Sequence, residues 1–377
     1  MNDFPYYNNN EGIIYLDSAS TTLRHSAVIK SVTDYCNDYN INLGRTFGSK
    51  ASEFGNQVEQ IRIEFAKLYN CPNFFFTSSA TDSLNQIAQI LVNNNMINGN
   101  SKIVLGIDNH HAAILPFTNL TSNINYIKLD ENLNLNVNSL LDLGYEPDII
   151  VLNMSSNVVG YYLQTDEIKD IRKKFPSSII ILDGTQYLAS RSIDFVDLGV
   201  DFVVGSFHKM YGPTGWGFCM YNKKYQNLKP AKLGGGIVED VMTEGVVFLD
   251  KGQQFESGTL NLDSVLSLAE ILSFLKHEVY NHKFPNLQSL VQLKNYNFFI
   301  SNRSDKTISF CHKIHSNFDL ANFLSLNGII VRVGMHCANP LLHYLNQENG
   351  LVRVSLGIYS TDTDINKLIE VLERFEK

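Results

Sequence analysis

A lysine at the end of an apolar run needs a chemical reason, and this sequence has one. Lys209 follows the run 201–205, which reads as a buried strand. It closes Ser206-Phe207-His208-Lys209, ahead of the glycine-rich Tyr211-Gly212-Pro213-Thr214-Gly215-Trp216-Gly217. Surface solvation explains such a lysine poorly. Desolvation there lowers the pKa and frees the amine for Schiff-base chemistry. The glycines let the backbone turn tightly around a bound group. Asp183 closes the run 178–182 and precedes Gly184-Thr185-Gln186. A carboxylate at that place is costly unless it meets donors or a cation. A protonated pyridine nitrogen would serve; so would a helix start that the carboxylate caps. Ser79-Ala80-Thr81 opens a helix after the strand 74–77. Free N–H groups and the positive helix end make an anion site there, although a ligand-free Ser/Thr cap explains the same residues. Cys337 lies between Gly334-Met335-His336 and Ala338-Asn339-Pro340, in a segment that reads as an exposed loop. Its nucleophilic form is the thiolate, which a nearby His or cation favours. The plain alternative is a buried structural thiol, the reading for Cys36, Cys71, Cys219 and Cys311.

The elements that must position these residues show as pattern. From about 74 to 220, short apolar runs alternate with amphipathic stretches. Leu84, Ile87, Ala88, Ile90 and Leu91 recur at helical spacing. The runs 102–107, 148–152, 178–183 and 201–205 are rich in Ile and Val, as strands buried on both faces of a parallel sheet are. The alternation predicts an α/β fold: a mostly parallel sheet with helices on both faces, right-handed crossovers, and ligands beyond the carboxyl ends of the strands. Past Gly258 the character changes. A helix is expected over 261–275, strands over 307–311 and 329–333, and a closing helix over 362–375 capped by Thr361 or Thr363. The expected division is a large domain over 12–257 and a smaller α+β domain over 258–377, with residues 1–11 packing on the latter.

Composition narrows the function classes. A chain of 377 residues suits two domains sharing an interface. Its formal charge of −8 is spread among interspersed acids and bases, which argues against a nucleic-acid or anionic-membrane partner. No apolar run approaches the roughly 18 residues of a membrane span, and residues 1–10 have no secretory signal pattern. Five scattered cysteines read as reduced thiols, hence a cytoplasmic protein. No metal is expected, since His110-His111 alone is weak ground for a zinc site. No Gly-x-Gly-x-x-Gly follows a strand, which argues against a nicotinamide enzyme.

Taken together, the segments resemble a known family. Gly205-Ser-Phe-His-Lys209-Met-Tyr-Gly-Pro-Thr-Gly215 is similar to the Schiff-base segment of cysteine desulfurases, class V aminotransferases of the fold-type-I pyridoxal-phosphate (PLP) group. Tyr15-Leu-Asp-Ser-Ala19, Asp108-Asn-His-His-Ala112, Ser156-Asn-Val-Val-Gly160, Asp183-Gly-Thr-Gln186, Phe255-Glu-Ser-Gly-Thr-Leu-Asn261, Val331-Arg-Val-Gly-Met-His-Cys337 and Val352-Arg-Val-Ser-Leu356 follow in the family's order, over nearly the whole chain.

The resemblance implies roles. Lys209 is the Schiff-base lysine and later proton shuttle, and His110 the ring stacked on the pyridine. Asp183 keeps the pyridine nitrogen protonated. Asn157 and Gln186 match positions that steady the substrate carboxylate side and the phenolic oxygen. Ser79, Ala80, Thr81, Ser206 and His208 belong to the phosphate side, as does Thr259 reaching across from a second subunit of a homodimer. Arg353 resembles the clamp on the substrate α-carboxylate. Cys337 resembles the thiol that takes sulfur from cysteine, releases alanine and passes a persulfide to an acceptor protein.

Departures stand beside the likeness. Met335 takes the place of a first histidine before the cysteine, Asn109 that of an acidic residue, and Ser79 that of a glycine. Arg45 falls in a segment similar to the family's substrate-access region, and equally reads as a surface arginine. Two alternatives stay open: another PLP chemistry on this fold, such as a selenocysteine lyase or carbon–sulfur lyase acting without Cys337, and a catalytically idle relative acting as a binding protein.

Overall fold

Seven strands make the main sheet of this computed structural model, which describes residues 3–43 and 46–375. Arg45 lies outside them. The strands are β1 (Asn73–Thr77), β2 (Ile103–Gly106), β3 (Ile124–Ile127), β4 (Ile149–Asn153), β5 (Ile179–Asp183), β6 (Phe202–Ser206) and β7 (Gly217–Tyr221). Their order is β1-β7-β6-β5-β4-β2-β3. From β3 to β6 neighbours run parallel, and β7 is antiparallel to both β6 and β1. Every residue of β2, β4, β5 and β6 is buried. These strands are therefore apolar up to their polar last residues Asn153, Asp183 and Ser206, instead of alternating.

Successive side chains feed two cores. Val104, Ile150, Ile180 and Val203 pack with Phe54, Val58, Ile61 and Phe65 of the helix Ser49–Leu68. Leu105, Val151, Ile181 and Val204 pack with Leu84, Ile87, Ile90 and Leu91 of α1 (Ala80–Asn93). Helices thus cover both faces, and the predicted α/β architecture is the one observed.

A second sheet holds β8 (Tyr296–Phe299), β9 (Thr307–His312), β10 (Arg332–Gly334) and β11 (Leu351–Ser355), all antiparallel, in the order β8-β9-β11-β10. It packs on the helices Asn317–Leu326 and Asp362–Phe375 through Leu320, Leu324, Leu368 and Val371. Thr361 caps the closing helix: its Oγ1 accepts from Asp364 N at 3.3 Å, and Asp364 Oδ2 accepts from Thr361 N at 2.8 Å.

The chain crosses between the two sheets more often than its pattern suggested. The helix expected from 261 starts at Ser267 after a 3-10 turn, Leu262–Ser264. Its Leu268, Ile271, Phe274 and Leu275 are buried in the core of the main sheet, not with the second sheet. Residues on both sides of 257/258 therefore share one core. Ile14–Tyr15 pairs in parallel with Ile329–Ile330, and Leu16 enters the second sheet's core, so the start of the expected large domain lies with the smaller sheet. Phe4 meets Tyr211 at a tilt and Phe274 and Tyr359 edge-on, a site built from both parts.

Candidate active site

The carboxyl ends of the main-sheet strands open on a cavity of about 220 Å³, walled on the far side by β10, β11 and the segment after β10. On the β1 side, Ser79, Ala80 and Thr81 line it at the start of α1. Ser79 Oγ accepts from Asp82 N at 3.1 Å, so this hydroxyl is the helix cap. Gly217 of β7 lets the turn come this close: a Cβ there would stand 2.4 Å from the Ser79 carbonyl carbon.

After β2, His110 caps the helix His111–Thr118, its Nδ1 accepting from Ala112 N at 3.1 Å. Burial first, then the Lys209 charge, pushes its pKa down to about 4, so the ring is neutral. Beneath it lies a closed polar network. Asp108 is fully buried, takes the Tyr161 hydroxyl at 2.9 Å and an Asn153 amide hydrogen at 3.3 Å, and is pushed up to about 6 by desolvation. Asp183 ends β5, 6 % exposed, with Oδ1 accepting from Thr185 N at 2.9 Å. Gln186 donates to Ala19 O at 2.8 Å. After β6, Ser206 lies 3.4 Å from Trp216 O and His208 Nδ1 lies 3.3 Å from Thr21 Oγ1. Burial, then Lys209, pushes His208 down to about 4. Lys209 ends the 3-10 turn Phe207–Lys209. Desolvation pulls its amine down to about 8, with Asp183 opposing and Arg353 and Arg332 assisting.

The second sheet supplies guanidinium and thiol. Arg332 and Arg353 face each other across β10 and β11. Two like charges side by side repel unless anions intervene. Asp17 is one, its Oδ1 2.9 Å from Arg353 Nη2. Ser20 Oγ joins both arginines at 2.8 and 2.9 Å. Arg353 is 1 % exposed, and its Nε has no hydrogen-bond partner among the described residues. Cys337 is half-buried, not exposed as its loop suggested, with Sγ 3.9 Å from Arg332 Nη2. His336 does not serve the thiol. Its Nε2 bonds Leu351 O at 2.9 Å, and burial with two neighbouring arginines holds its pKa well below the usual range.

Asn157 completes the wall, while Thr259 stands apart, exposed, beside a separate cavity of about 460 Å³. Ser79, Ala80, Thr81, His110, Asn157, Asp183, Gln186, Ser206, His208, Lys209, Cys337 and Arg353 all line one cavity. Sequence reasoning missed Arg332, Asp17 and Ser20. For Arg332 a signal was present: Val331-Arg332-Val333 repeats the pattern of Val352-Arg353-Val354, a charge between β-branched residues in a strand. Among the described residues no group of three His, Cys, Asp or Glu gathers as a metal site, and no helix is long and apolar enough to cross a membrane.

A lysine of lowered pKa, a carboxylate at a neighbouring strand end, a neutral histidine and a helix start meet in one cavity of this α/β fold. The chain belongs to the class-V aminotransferase family, whose profile matches residues 14–368. Along its length it is similar to a probable cysteine desulfurase of Mycoplasma genitalium, 30 % identical over 98 % of this chain and 94 % of that protein. A cysteine desulfurase of Yersinia pseudotuberculosis is 28 % identical, over 100 % of this chain and 97 % of that one. In three dimensions it is similar to the cysteine desulfurase CsdA of Escherichia coli, with TM-score 0.88 and 25 % identity over 99 % of this chain and 96 % of that one. The fold is also that of a cysteine desulfurase from Thermococcus onnurineus, with TM-score 0.89 and 24 % identity over 99 % and 96 % of the two chains.

Family membership implies PLP, and the cavity suits it. The buried Thr185 Oγ1, Asn157 Oδ1 and Arg353 Nε have no partner among the described residues. Leaving such groups dry and unpaired costs about 1–3 kcal/mol each, so the wall favours a polar ligand.

Proposed function

We propose that this protein is a PLP-dependent L-cysteine desulfurase that carries the sulfur on Cys337 and passes it to an acceptor protein. The observation that supports it most is that Lys209, Arg353 and Cys337 line one cavity. Lys209 Nζ would bond the aldehyde carbon of PLP, Asp183 face the ring nitrogen and His110 cover the ring. Thr81, Ser206, His208 and the α1 start would hold the phosphate, and Gln186 the phenolic oxygen. Bound there, PLP supplies an electron-accepting ring.

The chain's residues then have defined work. Arg353 takes the substrate carboxylate, with Asn157 beside it. Arg332 keeps a guanidinium 3.9 Å from the Cys337 sulfur. The Cys337 sulfur attacks the sulfur of cysteine. A sulfur–sulfur bond forms, the carbon–sulfur bond breaks with its electron pair left on carbon, and that carbon takes a proton from Lys209 Nζ to give alanine. The depressed lysine pKa suits a group that gives and takes protons near neutrality.

The proposal includes a cytoplasmic homodimer in which Thr259 serves the partner's phosphate site. Five free cysteines support the reducing compartment. Apolar side chains on the hairpin of Val238–Met242 and Gly245–Phe248 support the dimer: Val241 is 63 % exposed and Met242 48 %. It also includes two domains, with the boundary moved past His277, because residues 262–275 pack on the main sheet.

The test is alanine release from L-cysteine, with mass spectrometry of Cys337. One added sulfur atom on Cys337, and loss of turnover in Cys337→Ala, are expected. Full sulfide-producing turnover in that variant sinks the assignment. Faster turnover of selenocysteine with Cys337 dispensable would point to the lyase chemistry instead.

A further inference from the structure

Asn157 touches both working parts of the second-sheet wall. Its backbone oxygen accepts from Arg353 Nη1 at 3.1 Å, and its Nδ2 donates to the carbonyl of His336 at 2.8 Å. The residue is 6 % exposed, and its Oδ1 has no partner among the described residues. One residue therefore joins the two, its main chain holding the arginine and its side chain the residue before the thiol.

The segment it holds needs holding. His336 and Cys337 have φ of 52° and 55°, two consecutive non-glycine residues in the left-handed region. There Cβ crowds the following carbonyl oxygen, and the conformation persists where neighbours impose it. Two hydrogen bonds pin the carbonyls of these residues. One is the Asn157 amide on His336 O; the other is the His111 backbone N–H on Cys337 O, at 2.9 Å. The His111 bond is main chain at a helix start. The Asn157 bond comes from a side chain in the cavity wall, where a ligand's oxygen can compete for the same donor.

We propose that Asn157 is a positioning residue whose amide ties occupancy of the Arg353 carboxylate site to the conformation of the Cys337 loop. This rests on the reading of Arg353 as the substrate clamp. Without ligand, the tie holds the thiol beside Arg332. A carboxylate on Arg353 draws the amide away from His336 O, leaving the pair with the His111 bond on Cys337 O and the His336 ring bond to Leu351 O, and the Cys337 side of the loop gains freedom to bring the thiol to the substrate.

The test labels the full-length, PLP-loaded protein with iodoacetamide and follows each cysteine by mass spectrometry. Exposed Cys36 reports the reagent, and buried Cys71 and Cys219 report any loosening of the fold. Saturating L-alanine should raise Cys337 labelling relative to Cys36 by about fivefold or more, the size of an ordinary coupling between sites. In Asn157→Ala and Asn157→Asp, which lack the donor, Cys337 should label faster without alanine and ignore its addition, with Cys71 and Cys219 still protected. Variants that respond to alanine as wild type does overturn the tie. So does a wild-type rate that ignores alanine while the PLP absorption shows it bound. Labelling of Cys71 and Cys219 in both variants would make the effect a loosened fold and overturn it too. Alanine that leaves the PLP absorption unchanged removes the substrate reading, and the tie with it.

Discussion

Lys209 sits where a charge has lost its water, and the amine's pKa falls from 10.5 to about 8. The sign of the consequence is fixed: the neutral amine attacks an aldehyde, and it prevails above the pKa. PLP-free protein should therefore take up PLP faster as pH rises, with the absorption-monitored rate half-maximal near pH 8; a midpoint near that of free lysine would refute the burial argument. This residue was legible because a charge at the end of an apolar strand has few innocent explanations. Asp183 announced itself likewise. Arg332 did not, because a single arginine between valines is also a common edge-strand surface pattern. What gives it meaning is the register that sets it opposite Arg353, a long-range pairing absent from local spacing. His336 misled for the converse reason: proximity in sequence to Cys337 says nothing of a ring turned to Leu351.

Between elements, the site depends on close approach and a buried network. Gly217→Ala would push β7 off the Ser79–Ala80 turn, since the new Cβ meets backbone that cannot rotate away. Overpacking of this kind costs about 1–3 kcal/mol, and we expect a lower melting temperature together with PLP affinity weakened on the order of tenfold. Unchanged affinity would mean that the turn does not hold the phosphate. Asp108 gives a pH signature instead. Its pKa is raised from 3.8 to about 6, so its contribution is full below pH 3.8 and lost as pH rises through 6. A two-unit shift corresponds to about 3 kcal/mol. Stability of wild type minus that of Asp108→Asn should fall by up to that amount between pH 4 and 7 in denaturant titrations; a flat difference would deny the shift. The strands β1, β2, β4, β5 and β6 were legible to within a residue because burial on both faces leaves no alternation to misread, whereas β3, β7 and β8 were not foreseen and the expected strand 329–333 is split between Ile329–Ile330 and β10. That the helix Ser267–His277 packs on the main sheet was not legible, because an amphipathic stripe tells that a face is buried, not against which sheet.

At the scale of the whole molecule, Thr259 is the residue that one chain does not explain. It is exposed beside the cavity that Arg62, Gly236 and Glu256 line, away from the Lys209 cavity of its own chain. If a twofold dimer brings it to the partner's phosphate, Lys209 and Thr259 of any one site come from different chains. That separation can be tested by mixing. Lys209→Ala protein cannot bond PLP, and Thr259→Ala protein should hold it weakly. Unfolded together and refolded, the two should form mixed dimers in which one site joins the intact Lys209 of one chain to the intact Thr259 of the other, while its twin site carries both lesions. With random pairing, roughly a quarter of sites should regain full PLP affinity and alanine release. Refolded singly, neither parent should. If both residues act within one chain, every mixed dimer keeps one lesion per site and mixing restores nothing, which would remove the partner's Thr259 from the phosphate site and leave the exposed hairpin valines to be explained another way.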